Sequence, residues 1–187
     1  MMKRDFFGVM KNILMIKNKM KKLLLAPLLL FVFIINTNAQ FRGLEWGSTE
    51  KDAISKYGKP DLEGEGYIAY EYTLSGKSTL SAFYYVQNKL YSGVYLLTET
   101  HSNKNGYIDD YNDFKNLLSK KYGDPEEDET YWKNDLYQDD YSSWGMAISV
   151  GHLVKYSTWS NEKTNIDCII TGDNFEITCK ILLIVLN

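Results

Sequence analysis

Histidine, cysteine and proline are nearly missing from this chain: its 187 residues hold two, two and three of them. His101 and His152 lie far apart in sequence, so a zinc site of the usual short ligand spacing has nothing to draw on. No nucleophile with a base, no phosphate-cradling glycine loop and no ligand cluster can be read along the chain, so no enzyme activity and no cofactor are predicted. His101 reads as part of a solvated linker and His152 as a structural residue near a strand start. The acidic run Asp124, Glu126, Glu127, Asp128 and Glu129 lacks the mid-loop glycine and distal glutamate of a helix-loop-helix calcium site and reads as a solvated loop.

A long apolar segment is missing too. The longest N-terminal run, Leu23 to Ile35, has thirteen residues, whereas a helix needs about 20 to span a bilayer. It follows Lys17, Lys19, Lys21 and Lys22 and precedes Asn36-Thr37-Asn38-Ala39, the charged, apolar, small-residue order of a signal peptide. Residues 1–39 are therefore predicted to be a signal peptide cleaved after Ala39, with Met20 as an alternative translation start. No cysteine follows the run to carry a lipid, so the expected product is periplasmic or secreted and keeps no stable membrane anchor. Removal of the segment leaves 14 basic and 23 acidic side chains, a net charge of −9. That balance repels phosphate backbones and argues against nucleic acid as a partner.

What is present is a repeat. Lys56-Tyr57-Gly58-Lys59-Pro60-Asp61 returns as Lys121-Tyr122-Gly123-Asp124-Pro125-Glu126, each copy a helix-stop signal of glycine then proline. Before the second copy Tyr111, Phe114, Leu118 and Tyr122 share a helical face, with Asp109, Asp110, Lys115 and Lys120 elsewhere. Before the first, Ser48 or Thr49 caps a shorter helix whose Ala53, Ile54 and Tyr57 point inward. Strand-like alternation follows the first copy: Ile68 to Leu74, a turn at Ser75-Gly76-Lys77, Leu80 to Val86, a turn at Asn88-Lys89, then Leu90 to Thr98. After the linker Glu99 to Gly106, Glu129 to Asn134, Gly151 to Trp159, Thr164 to Thr171 and Phe175 to Val185 read as strands, while Trp144 to Val150 fits helix or strand. The run Ile181 to Leu186 abandons alternation and reads as a strand buried on both faces or paired at an interface. The expectation is α+β: residues 40–187 as one domain of two tandem repeats, about 41–106 and 107–187, each a helix followed by an antiparallel β-meander, with the helices packed on the sheet.

A two-residue turn in Gly172-Asp173-Asn174-Phe175 pairs Gly172 with Phe175 and sets Cys168 opposite Cys179. Two readings stand: a cross-strand disulfide, which an oxidising compartment favours, or two thiols packed as small hydrophobes.

Exposed rings often carry recognition. Tyr131 and Trp132 point to opposite faces of one strand, and the polar loop Asp135 to Ser143 carries Tyr137 and Tyr141 just before Trp144. Trp132, Tyr137, Tyr141 and Trp144 are the candidate binding residues.

Gly47-Ser48-Thr49-Glu50, then Ile54, then Tyr57-Gly58-Lys59-Pro60 resembles the small helix-plus-sheet module of the outer-membrane assembly small lipoproteins. Two such modules in tandem resemble the β-lactamase inhibitor protein fold. That resemblance implies a sheet used as a protein-binding surface. The function expected is non-catalytic binding of another envelope or secreted protein through the sheet face or the Asp135 to Ser143 loop, with a glycan or small-ligand domain using exposed aromatics as the alternative.

Overall fold

A computed structural model describes residues 40–186. The signal peptide, its cleavage after Ala39 and the alternative start at Met20 lie outside the described residues.

The chain is α+β. A two-residue strand pair, β1 (Gln40–Phe41) and β2 (Leu44–Glu45), leads into helix α1 (Glu50–Tyr57). Four strands follow: β3 (Leu62–Gly64), β4 (Tyr67–Leu74), β5 (Lys77–Val86) and β6 (Lys89–Leu97). After α2 (Gly106–Tyr122) come β7 (Glu127–Trp132), a short 3₁₀ turn at Tyr141–Ser143, α3 (Trp144–Ser149), β8 (Leu153–Asn161), β9 (Thr164–Asp173) and β10 (Glu176–Val185). β3 through β10 form one eight-stranded sheet in the order β3-β4-β5-β6-β10-β9-β8-β7, every neighbouring pair antiparallel.

Local chemistry accounts for the helix ends. Thr49 Oγ1 accepts from the Asp52 N–H while the Asp52 carboxylate accepts from Thr49 N–H at 2.8 Å, a closed capping box. Gly58 and Gly123 stop their helices in matching geometry, φ 85, ψ −162 and φ 89, ψ −166, a region open in practice only to glycine. The surroundings match as well. Tyr70 Oη donates to Gly58 O at 3.0 Å and Trp159 Nε1 donates to Gly123 O at 3.0 Å. Asp61 N–H bonds Ala69 O and Glu126 N–H bonds Thr158 O, at 3.0 and 2.8 Å.

Several expectations are corrected. The first half gives the large sheet four strands instead of three, because residues Leu62–Gly64 pair with β4, and it adds the short β1–β2 pair. The segment that fits helix or strand by sequence forms a helix over Trp144–Ser149, with Val150 as its C-cap. Ile54 is 39% exposed, since eight residues give α1 room to bury little beyond Ala53. Asp110 is buried, and Asp128 lies in β7 and not in a solvated loop. The C-terminal run keeps one buried face, Ile181 and Leu183, and one more open face, Leu182 and Ile184, because β10 sits mid-sheet between β6 and β9 with helix on one side.

The last hairpin differs in register. Asp173 pairs with Glu176, so Asn174 and Phe175 form the turn, with φ of 49° and 68°. Phe175 is held in this unfavourable conformation from outside the hairpin: its N–H donates to Ser149 O and its carbonyl accepts from Lys104 Nζ, both at 2.9 Å. The shift by one residue on each strand places Cys168 opposite Ile181 and Cys179 opposite Ile170. Both cysteines are free and buried, which corrects the directly opposed pair.

Candidate functional site

Strand alternation divides the sheet into two faces. One row across it runs Tyr70, Ser81, Tyr95, Ile181, Cys168, Ser157 and Asp128. All three helices among the described residues pack on this face. α1 meets it where the Tyr57 ring lies 5.5 Å from Tyr70 and 5.6 Å from Phe83. α2 meets it where Tyr111 and Ser157 hydroxyls bond at 2.7 Å, and α3 where the Trp144 ring lies 5.4 Å from Trp132. β1 joins them through Phe41, whose ring is 4.9 Å from both Phe83 and Tyr95.

The next row over faces the other way: Leu80, Leu96, Lys180, Ile169, Tyr156 and Glu129. Among the described residues no helix covers this face. Its central side chains, including Val94 and Leu182, stay half-buried against one another instead of beneath a helix. Asp167 on this face is pushed above the ordinary carboxylate range by burial and by Glu127 nearby, with Lys180 opposing.

The predicted aromatic residues gather at the β7 end of the helix-bearing face, but not all four together. Trp132 meets Trp144 edge-on, and Tyr141 lies 5.0 Å from the Trp144 ring. Trp144 Nε1 donates to Gln138 O at 3.1 Å, tying the loop to α3. Tyr137 turns instead toward His152, ring centres 5.8 Å apart. The loop carries its own apolar tip: Leu136 is 69% and Tyr141 55% exposed. Asp140 is held below the usual carboxylate range by hydrogen bonds from Ser142 and Ser143, which it accepts as the cap of the 3₁₀ turn. α3 docks where Gly145 N–H donates to Asn105 Oδ1 at 2.7 Å; a Cβ there would stand 2.3 Å from the Lys104 backbone.

Sequence reading misses two polar clusters because their members are far apart along the chain. Under α2, Lys115 pairs with Asp128 at 2.9 Å and Ser157 Oγ donates to Asp128 at 2.7 Å. Burial pushes the Asp128 carboxyl up, but these two donors outweigh it and hold it low. Lys155, bonded to Thr130 Oγ1 at 2.7 Å, has its ammonium pushed down by burial and by Lys115. At the start of α2, buried Asp110 bonds His101 Nε2 at 2.5 Å and Lys77 Nζ at 2.5 Å, and Lys77 also reaches Asp113 at 2.9 Å. His101 is thus a partner of α2 and not a solvated linker residue. Glu99, His101 and Asp110 bring ligand atoms within 4.8 Å of one another, a spacing a divalent cation can use. Lys77 already supplies positive charge to that carboxylate, and Glu99 accepts from Ser78 N–H, so the cluster reads as a structural clasp.

The cysteines offer no accessible chemistry. Both thiols are buried, and that burial pushes Cys179 up to about 12 and Cys168 well above its ordinary value, which disfavours the thiolate.

Compared with protein-family models, curated proteins and solved structures, the chain matches none.

Proposed function

We propose that the chain is an exported, non-catalytic binding module whose partner is another envelope or secreted protein, and that it docks through the helix-free face of the sheet. The observation that carries this reading is the one-sided placement of the helices. A sheet face that presents Leu80, Val94, Leu96, Leu182 and Tyr156 with no covering helix among the described residues has the extended, mixed apolar character of a protein contact surface. Export is supported by the charged-then-apolar order of residues 17–39. The matched helix stops at Gly58 and Gly123, each receiving one aromatic donor from the sheet, support reading the domain as two tandem helix-plus-meander repeats.

The test is cross-linked capture from envelope extract with the full chain as bait, beside a Val94→Glu, Leu182→Glu bait and a Tyr137→Ala, Tyr141→Ala bait. One partner, lost with the first variant and kept with the second, is the expected result. No partner above background sinks the reading, and loss with the second variant alone moves the contact to the loop. A second reading, glycan binding, is favoured by the Trp132, Trp144 and Tyr141 ring cluster; it requires saturable oligosaccharide binding that Trp132→Ala abolishes.

A further inference from the structure

Between β1, the last turns of α2 and the middle of the sheet lies a cavity of about 240 Å³. Its walls are apolar, formed by Phe41, Leu74, Tyr95, Leu118, Ile181 and Leu183. Two cations also line it, Arg42 and Lys121. Among the described residues neither has a carboxylate partner within salt-bridge distance, and no hydrogen bond leaves the Arg42 guanidinium.

Arg42 is unusual in three ways that converge. Its Nη1 is buried without an acceptor. Its guanidinium carbon stands 4.2 Å from the Tyr72 ring centre and 4.6 Å from that of Tyr57, so among the described residues it is ring faces that offset the charge. Its backbone sits at φ 50°, with the carbonyl fixed by the Tyr57 hydroxyl. A long β-unbranched side chain held in the left-handed region, aimed among tyrosines with no anion among the described residues, is a strained arrangement that suits a site better than a scaffold.

We infer that this cavity is a binding site for a small amphipathic anion, a carboxylate on a single short acyl or aryl body, with the body between Tyr95, Leu118 and Ile181 and the charge drawn to Arg42 and Lys121. The size fits the class: the volume exceeds the roughly 150 Å³ that holds benzene and falls short of the roughly 300 Å³ at which drug-sized pockets begin. A neutral hydrocarbon would leave both cations uncompensated, and a polyanion would have to bury charge against leucine and isoleucine. The site is independent of the helix-free face, which lies across the sheet.

Calorimetric titration of the full chain with octanoate tests it, with octan-1-ol as the neutral match of the tail. One-site saturation is expected, with affinity about tenfold weaker for octan-1-ol and for octanoate on the Arg42→Gln variant. Lys121→Gln, at an exposed position, is expected to weaken octanoate binding several-fold and is the decisive variant if Arg42→Gln fails to fold by circular dichroism. Absence of saturation, equal affinity for octan-1-ol, or octanoate binding unchanged in Lys121→Gln would each overturn the proposal.

Discussion

The two edges of the sheet are finished differently. At one, β3 joins β4 through residues 65–66 alone; at the other, β7 joins β8 through residues 133–152, which include the 3₁₀ turn and α3. Both edges are anchored by the same helix-stop geometry, so the extra chain is not needed to position a strand. Its presence coincides with a group of exposed apolar residues, Leu136, Tyr141 and Met146, and with contacts that engage the Asn105 side chain on Gly145 N–H and Tyr141 O instead of in capping α2. The contrast teaches that a minimal connection suffices for the scaffold, and that the longer one is a docked structure with its own demands.

The largest expected effect strikes that docking. Gly145→Ala should cost about 3 kcal/mol in urea unfolding, because its methyl collides with backbone that cannot rotate away; a cost below about 0.5 kcal/mol would show that α3 sits loosely. The shared geometry is tested next. Gly58→Ala and Gly123→Ala should each cost about 1–3 kcal/mol and agree closely, since nothing lies within 4 Å of either added Cβ and backbone strain alone is measured. Unequal costs would break the equivalence of the two edges. Smaller again, Tyr70→Phe removes the donor to Gly58 O and Tyr111→Phe removes the donor to Ser157 Oγ, which keeps its bond to Asp128; each should cost about 1 kcal/mol. The smallest effect is one of pH. Asp128 is depressed in the fold, so its contribution is present above the ordinary carboxylate value of 3.8 and is lost as pH falls through the lower folded value. Asp128→Asn should flatten the acid limb of the stability curve; an unchanged limb would remove Asp128 from the network.

Legibility follows range. The helix stops, the face of α2 made by Tyr111, Phe114 and Leu118, and the strand tally of the second half all rest on neighbours in sequence, and all are readable there. The β9–β10 register is not. Its turn residues are chosen by Ser149 and Lys104, which hold Phe175 in place from elsewhere in the fold. His101 likewise reads as solvated because Asp110, its partner, falls on the polar side of the helical pattern. Trp132, Tyr141 and Trp144 stand out by the argument from exposed rings and do meet, whereas Tyr137 pairs with His152 for reasons no local pattern carries. Arg42 gives no signal, because its cage draws on α1, β4 and β5 together.

By itself the sequence determined the class of the fold, the glycine stops of its first two helices and the acidic charge of residues 40–187, because periodicity, capping and composition act over a few residues. Only tertiary structure decided which face of the sheet no helix covers among the described residues, which carboxylates are buried beside cations, and where Arg42 stands with no anion among the described residues. Those outcomes depend on side chains brought together across the sheet, and their energies exist only once the chain has closed around them.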